Sequence, residues 1–196
     1  MELRYSVIIP ARNARQELAE ILAALSAGAD EPAPKEVVVV DDGSIDSTAA
    51  LARTWGARVV SIPGRGPAAA RNAGASAASG DLLVSFDADC VPEQGCIEAL
   101  LAPFEDPRVV GVRGAYTTNQ RALAARFAQL EMEEKQERMA ASRETAVVDT
   151  ACAAYRRRAF LEGGGPLEGG LRGSRGEQAP RGRRRLGGGG EERVGR

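Results

Sequence analysis

The sequence predicts an α/β protein with a doubly wound, mostly parallel sheet flanked by helices. The first observation is an alternation along the chain, in which short apolar runs of strand length are followed by stretches with helical spacing. The second is the run "EVVVVDDGS" at 36–44, whose four consecutive valines are typical of a strand buried on both faces. Because successive parallel strands are joined by right-handed crossovers, this β-α-β-α-β-α-β order places helices on both faces of one sheet.

The strands are predicted from runs rich in Val, Ile and Phe that stop at Gly, Pro, Asp or Ser. The first is "YSVIIP" at 5–10, and the valine run follows it as the second. The others are "RVVSI" at 58–62, "LLVSF" at 82–86, "VVGVRG" at 109–114 and a short strand within 145–160.

The helices are predicted from the segments between these strands. Residues 17–25 place four leucine or isoleucine side chains on one face, and "DGSIDST" caps a helix over 48–54. Further helices are predicted within 64–80, over 96–101, over 120–143 and at the end of 145–160.

The character of the chain changes after residue 162. Of the 34 residues from Gly163 onward, 13 are glycine and none is aromatic. Such a segment buries too little apolar surface to offset the entropy of an ordered chain. We therefore expect one domain over 1–162 and a poorly ordered Gly- and Arg-rich tail over 163–196.

Composition excludes several kinds of function. A net charge of −1 gives no overall field that would favour nucleic acid. The chain has no histidine, which excludes Ser-His-Asp and Cys-His catalysis and leaves oxygen ligands, suited to Mg²⁺, Mn²⁺ or Ca²⁺, for any metal site. Its three cysteines form no C-x-x-C pair and fit a reduced, cytosolic setting. The N-terminus has no signal-peptide core, and no run approaches the ~18 apolar residues of a membrane span.

Three polar clusters fall where predicted strands end, namely "PARN" at 10–13, "DDGS" at 41–44 and "DAD" at 87–89. Open α/β sheets bind ligands beyond the carboxyl ends of their strands, so we expect one site to collect all three clusters. In the second cluster, Asp41 or Asp42 can accept hydrogen bonds from a nucleobase or a ribose.

The third cluster places two acids, Asp87 and Asp89, directly after a buried strand. Two carboxylates about 5 Å apart at an effective dielectric near 20 repel by roughly 3 kcal/mol. A divalent cation bound by both acids would offset this repulsion and would neutralise a diphosphate.

Each cluster has a plainer interpretation when it is taken alone. Asp-Asp-Gly-Ser is a good turn, and D-x-D pairs are common. "DADCVPEQGCIE" partly matches an EF-hand loop, but Pro92 stands where that loop needs glycine. "GRGPAA" at 64–69 matches the loose dinucleotide pattern G-x-G-x-x-A, but it follows the third strand rather than the first. No G-x-x-x-x-G-K is present, so a P-loop is excluded.

The segments "SVIIPARN", "VVVVDDGSIDST" and "GPAAARNAGASAASGDLLVSFDADC", in this order and spacing, resemble the family 2 glycosyltransferases over about residues 4–162. The resemblance implies the GT-A fold, a nucleotide-diphosphate sugar as donor, Mn²⁺ or Mg²⁺ as cofactor, and usually inversion at the anomeric carbon. The chemistry suits the clusters, because a sugar–diphosphate bond breaks when a metal stabilises the leaving diphosphate and a base deprotonates the acceptor hydroxyl.

The resemblance also implies a role for each cluster by position. Pro10 and Ala11 would line the base pocket, and Asp42 would bind the base. Asp87 and Asp89 would form the D-x-D motif, with Asp89 as the direct metal ligand. Together with the polar clusters, the expected substrate-binding set is Pro10, Ala11, Asn13, Asp41, Asp42, Arg71 and Asp87, with Arg71 near the donor.

The chain departs from the family after "ACAAYRRRAFLEGGG" at 151–165. The family continues with an aromatic-acidic stretch and an E-D pair whose acid is the catalytic base. This chain instead reads "GGGPLEGGLRGSRGEQAPRGRRRL", so the base is unassigned, with Glu177 as a candidate by spacing. The tail is either a divergent terminus or the product of a reading-frame change, and its excess of glycine and arginine favours the frame change.

The leading hypothesis is a metal-dependent, inverting glycosyltransferase of the hexosyltransferase type, acting on a saccharide, a lipid-linked or a small-molecule acceptor. The alternative is a GT-A domain that binds the donor and lacks a competent base. A nucleotidyltransferase would share the sheet and the metal, but no Gly-rich, Lys-containing activation loop is present near the N-terminus. We expect no nucleic-acid partner, no transmembrane segment, and a cytoplasmic location, with peripheral association at the inner membrane face as an alternative.

Overall fold

The computed structural model describes residues 4–27, 33–117, 151–163 and 178–184. The described strands are β1 Tyr5–Ala11, β2 Glu36–Asp42, β3 Arg58–Ile62, β4 Leu82–Phe86, β5 Cys90–Val91, β6 Gly111–Thr117, β7 Cys152–Arg156 and β8 Gln178–Arg184. The described helices are α1 Arg15–Ala27, α2 Thr48–Thr54, α3 Pro67–Ala77, α4 Cys96–Leu101 and α5 Arg157–Glu162, with a 3₁₀ turn at Ala102–Glu105. Within these ranges, no helix is both long and apolar enough to cross a bilayer.

All eight strands belong to one sheet, in the order β3-β2-β1-β4-β7-β6-β8-β5. Strands β1 to β4 run parallel, as the sequence predicts, whereas β7 is antiparallel to both β4 and β6. Because β2 and β4 lie on opposite sides of β1, the direction of winding reverses between β1 and β4. Such a switch point is where open α/β sheets bind ligands, beyond the carboxyl ends of the strands.

The core lies on both faces of this parallel half. In β2, Val38 and Val40 pack on the α3 side, whereas Val39 packs on the other side with Leu18 and Ile21 of α1. All three valines are fully buried, which confirms the interpretation of the valine run as a strand covered on both faces. The sheet is therefore held between two apolar layers, and its carboxyl edge carries the polar clusters.

Helix α3 lies unusually close to the sheet at Gly74. A β-carbon built on this glycine would stand 2.5 Å from Ile8 Cγ2 and 3.0 Å from Val40 Cγ2, both on branched side chains of central strands. A close-packed core cannot accept an added methyl group without strain. The absence of a side chain at Gly74 therefore allows α3 to pack this close to β1 and β2. The position of α3 matters because its first turns reach the carboxyl edge.

The tail contains an element that its composition does not predict. Residues 178–184 form β8, which pairs in parallel with β6 and in antiparallel register with β5. The composition of the tail gives no signal for these seven residues as a strand. A strand can gain order from backbone hydrogen bonds to its neighbours, which do not depend on apolar side chains.

The remaining differences concern short or distant segments. The two-residue strand β5 is not expected from the sequence, since it is too short to carry a periodic pattern. The strand and helix expected within 145–160 are observed as β7 and α5. The helix expected over 120–143 lies outside the described residues, as does the start of the segment 145–160.

The amino edge of the sheet is held together by Glu36. Its carboxylate accepts hydrogen bonds from Ser6 Oγ at 3.1 Å and from both the backbone N–H and the hydroxyl of Ser79, at 2.7 and 2.6 Å. Arg58 Nη1 lies 3.5 Å from the same group. Partial burial raises the pKa of the Glu36 carboxyl, but the hydrogen bonds from Ser79, Ser6 and Arg58 outweigh it, so the pKa is lowered overall.

We predict that Glu36→Gln lowers the free energy of unfolding at pH 7 by about 1–2 kcal/mol, because hydrogen bonds to a charged acceptor are replaced by bonds to an amide. A carboxyl with a lowered folded-state pKa adds stability above its unfolded pKa of about 4.3, and that stability is lost as the pH falls through the folded value. Urea unfolding from pH 7 to pH 3 should show the gap between the two proteins closing in acid. A gap that stays constant over this range would contradict the role of the charge.

Candidate functional site

The two acids of the D-x-D motif stand on a tight turn that follows β4. The Asp87 N–H donates to the Ala151 carbonyl oxygen at 2.9 Å, and the Cys90 N–H donates to the Asp87 carbonyl oxygen at 2.9 Å. The second of these bonds closes a four-residue turn from Asp87 to Cys90, with Asp89 at its third position. The backbone that carries both acids is therefore held at the carboxyl edge of the sheet.

Asp87 is paired with Arg71 of α3. Arg71 Nη2 donates to Asp87 Oδ1, and the Arg71 side chain is only 9% exposed. At about 4 Å and an effective dielectric near 20, such a pair attracts by roughly 4 kcal/mol, which matches the repulsion expected between two neighbouring carboxylates. The chain thus supplies a counter-charge of its own, in addition to the cation that the sequence leads us to expect.

Asp42, at the end of β2, holds the start of α3. Its Oδ1 accepts the Arg65 N–H at 2.6 Å, and its Oδ2 accepts the Gly66 N–H at 2.8 Å. Gly66 is the residue that precedes the helix, and it has a positive φ of 87°. Asp42 is 4% exposed, so these charge-assisted bonds lie in a partly desolvated place where they are worth more than at the surface.

Asp41 has a more local role in the same loop. Its Oδ1 accepts the Ser44 N–H at 3.2 Å, which closes the turn after β2. Gly43, which lies between Asp41 and Ser44, has a φ of 72°. A β-carbon built on Gly43 would stand 3.0 Å from the backbone nitrogen of Gly64. The loops after β2 and β3 therefore touch through two glycines, and Arg12 of the β1 loop lies against Gly64.

Asn13 ties the loop after β1 to the loop after β2. Its backbone N–H donates to Ser44 Oγ at 3.0 Å, and its Oδ1 accepts the Ile45 N–H at 2.8 Å. Its φ of 47° is in the left-handed region, which asparagine tolerates better than most residues. Asn13 is expected to bind substrate, and in the structure its backbone N–H and its side-chain oxygen join the loop after β1 to the loop after β2.

Pro10 and Ala11 form the buried end of β1, where Pro10 pairs with Val40 and Ala11 with Asp41. The predicted set is therefore assembled at one edge of the sheet, by β1, β2, β4 and α3. Glu177, the candidate base, lies outside the described residues.

Some residues of this edge have no signal in the sequence that would single them out. Arg71 Nε, Asn72 Oδ1 and Ser85 Oγ are buried and have no hydrogen-bond partner among the described residues. Most buried polar groups in proteins are paired, so these atoms are spare donors and acceptors on α3 and β4. Asn72 and Ser85 escape sequence reasoning because one lies in an alanine-rich helix and the other in an apolar strand.

The donor set fits a divalent cation that is shared with a ligand. Across the described ranges, no group of three or more His, Cys, Asp or Glu residues forms a ready-made metal site. Asp87 and Asp89 supply two carboxylates. Mg²⁺ is commonly bound through one or two carboxylates together with substrate phosphates and water, so two acids suffice when a diphosphate completes the shell.

The three cysteines lie next to this turn, on β5, α4 and β7. All are buried, and the sulfur atoms of Cys96 and Cys152 are 4.0 Å apart, about twice the length of a disulfide bond. Hydrogen bonding to Cys90 and Cys96, together with burial, raises the pKa of the Cys152 thiol well above its usual value. Cys152 is therefore neutral at pH 7 and packs as a small apolar residue.

The fold is that of the GT-A class, with the winding of the sheet reversing between β1 and β4. A family model described as Glycosyl transferase family 2 matches residues 6–164, and the chain belongs to this family.

Curated relatives share part of the chain. A pre-mycofactocin glycosyltransferase of Mycobacterium tuberculosis is 35% identical over 108 residues, which cover 53% of this chain and 22% of the relative. The glycosyltransferase AglE of Haloferax volcanii is 34% identical over 99 residues, which cover 47% of this chain and 33% of the relative. The matched region is thus about a fifth to a third of these relatives' length.

Solved structures agree in fold. The mannosyltransferase PcManGT of Pyrobaculum calidifontis has a TM-score of 0.67 at 23% identity, covering 93% of this chain and 57% of that one. Glucosyl-3-phosphoglycerate synthase of Mycobacterium tuberculosis has a TM-score of 0.59 at 23% identity, covering 81% of this chain and 58% of that one. The chain spans a little over half the length of both proteins.

We predict that Asp42→Asn lowers the free energy of unfolding by about 2–3 kcal/mol, because an NH2 group, which cannot accept, replaces one of the two oxygens that accept the Arg65 and Gly66 N–H groups. Asp41→Asn is the matched control, since its amide oxygen can still accept the single Ser44 N–H. Urea unfolding of the two variants should show the larger loss for Asp42→Asn. Equal losses of unfolding free energy in the two variants would mean that the bonds from Asp42 to the start of α3 contribute no more to stability than the single bond of Asp41.

Proposed function

We propose that the chain is a metal-dependent glycosyltransferase that moves a sugar from a nucleotide-diphosphate sugar to an acceptor hydroxyl. The observation that carries this proposal is the convergence of Asp42, Arg71 and the D-x-D turn at the carboxyl edge of a family 2 domain. We assign residues 1–162 to the nucleotide-sugar-binding domain. The three buried cysteines suit a reducing cytoplasm.

In this proposal the loops after β1 and β2 receive the nucleoside. Pro10 and Ala11 form an apolar wall, and Asp41 and Asp42 supply acceptor oxygens for a base or ribose. Asp42 is already bonded to Arg65 and Gly66, so it contributes its remaining lone pairs. Solved structures of the fold include one in complex with UDP-glucose and Mn²⁺ and another with GDP-Man and Mn²⁺. The base and the sugar therefore vary within the fold.

Asp87 and Asp89 are the residues that would hold Mn²⁺ or Mg²⁺ at this edge. A divalent cation bound there supplies charge stabilisation to the leaving diphosphate. Arg71, on the same side, offers guanidinium donors that suit phosphate oxygens. The chain's own contribution is to keep these groups fixed, through the turn after β4 and the anchored start of α3.

We propose inversion by direct displacement. The acceptor oxygen forms a bond to the anomeric carbon while the bond from that carbon to the diphosphate oxygen breaks, and the hydroxyl proton passes to a base. Glu177 is the candidate for that base by its spacing. A general base whose pKa lies near the working pH raises the rate of transfer by roughly 10²–10⁴-fold. The identity of this residue therefore decides how active the chain is.

The second candidate function is a donor-binding domain with impaired transfer. It is favoured by the family match, which ends at residue 164, just before the segment in which the base is expected. Both candidates share the donor site and differ in turnover. The tail beyond that point, whether divergent or frame-shifted, is the part of the chain that separates them.

We predict that UDP or GDP binds only with Mn²⁺ or Mg²⁺ present, and that Asp89→Asn weakens this binding ten-fold or more, because one ligand is lost from an oxygen-only site. Glu98→Gln, at an exposed position of α4, is the matched control for the lost charge and should bind like the wild type. Calorimetry with each nucleotide, with and without chelator, provides the measurement. Equal affinity in excess chelator would disprove the cation's role.

Turnover is measured separately, by the release of UDP from UDP-glucose or GDP from GDP-mannose with a panel of saccharide and lipid-linked acceptors. If the wild type transfers the sugar and Glu177→Gln does not, Glu177 is the base and the chain is an enzyme. Nucleotide binding with no transfer before or after this change would favour the donor-binding domain.

A further inference from the structure

We infer that Arg71 is an exchangeable counter-charge: it holds Asp87 while the site is empty, and it leaves Asp87 for the donor diphosphate when a divalent cation binds the D-x-D turn. This inference rests on the proposed function, because it presupposes a cation and a diphosphate at the same edge. It assigns Arg71 a role in ordering the two binding events, beyond proximity to the donor.

The first support comes from how the guanidinium of Arg71 is bonded. Its Nη2 donates to Asp87, whereas its Nε is buried and has no hydrogen-bond partner in the part of the chain that the structure describes. The guanidinium carries five N–H donors, and a buried donor without a partner is costly. The contact with Asp87 therefore leaves Arg71 with donor capacity that a diphosphate, rich in acceptor oxygens, would use.

Arg156 shows what a permanently fixed arginine looks like in the same protein. Its Nε donates to the Val109 carbonyl oxygen at 2.8 Å, and its Nη2 donates to the carbonyl oxygens of Phe104 and Asp106 at 2.9 and 3.1 Å. Its guanidinium also lies over the Phe104 ring, 5.4 Å from the centroid. Arg156 is thus bonded to backbone on several sides, whereas Arg71 is bonded to a carboxylate that has another use.

The second support is that both backbones around the ion pair are fixed. Helix α3 is held at its start by Asp42 and is pressed onto the sheet at Gly74. The turn that carries Asp87 is closed by its bonds to Ala151 and Cys90. An exchange of partners therefore needs a rotation of the Arg71 side chain and no movement of either backbone.

The charges of the cation, the guanidinium and the diphosphate explain why Arg71 would change partners. A divalent cation at Asp87 and Asp89 would stand close to the positive guanidinium, and like charges in a partly buried place repel strongly. A diphosphate removes this conflict, because its oxygens can accept from the guanidinium and bind the cation together. Arg71 therefore weakens cation binding to the empty site and strengthens nucleotide binding to the loaded one.

The first test is Mn²⁺ binding to the protein alone, followed by electron paramagnetic resonance of the free ion. Arg71→Gln should bind Mn²⁺ five-fold or more tightly than the wild type, and should bind UDP or GDP ten-fold more weakly when Mn²⁺ is saturating. Arg53→Gln, an exposed arginine of α2, removes the same charge elsewhere and should leave both affinities within two-fold. Mn²⁺ bound equally or more weakly by Arg71→Gln would overturn the inference and make Arg71 a fixed support for Asp87.

The second test separates exchange from simple repulsion and follows the wild-type protein through both additions. The Arg71 Nε–H signal in a ¹H–¹⁵N spectrum, assigned by its loss in Arg71→Lys, should move when Mg²⁺ is added and move again when UDP or GDP follows. A signal that stays in place through both additions would contradict the exchange. Failure of all the proteins to bind Mn²⁺ would contradict the proposed cation as well, so the two failures are distinguishable.

Discussion

The carboxylate of Asp42 is the contact on which the arrangement of this site depends. By accepting the Arg65 and Gly66 N–H groups, it joins the end of β2 to the start of α3. A negative charge at a helix start is also favourable, because the unpaired N–H groups there carry partial positive charge. With α3 fixed at this end and packed closely onto the sheet at Gly74, Arg71 of the same helix reaches Asp87.

The structure already pairs much of the charge at this edge. The carboxylates of Asp41 and Asp42 accept from backbone N–H groups, and that of Asp87 accepts from Arg71. A strongly acidic edge without such partners would repel itself and would attract cations without selectivity. Under the proposed function, this pairing would couple the binding of cation and nucleotide, since a diphosphate can bind the guanidinium and the cation together.

Local patterns were enough to predict much of this fold. The valine run of β2 and the D-x-D after β4 carry their own signals, because burial on both faces and the end of a strand are visible in a few residues. Strand β8 could not be predicted, since its order comes from pairing with β6, far away in sequence. The pairing of Arg71 with Asp87 also depends on tertiary packing, as does the use of Asn13 as a loop tie.

A double-mutant cycle between Asp42 and Arg71 tests the central claim most directly, which is that the two act as one unit through α3. The measurement is the affinity for UDP or GDP at saturating Mn²⁺ in the wild type, Asp42→Asn, Arg71→Gln and the double variant. Because the two residues act through one helix, the double variant should lose at least about 1 kcal/mol less than the sum of the single losses. Losses that add to within about 0.3–0.5 kcal/mol would show that the two residues act independently, and would contradict the account.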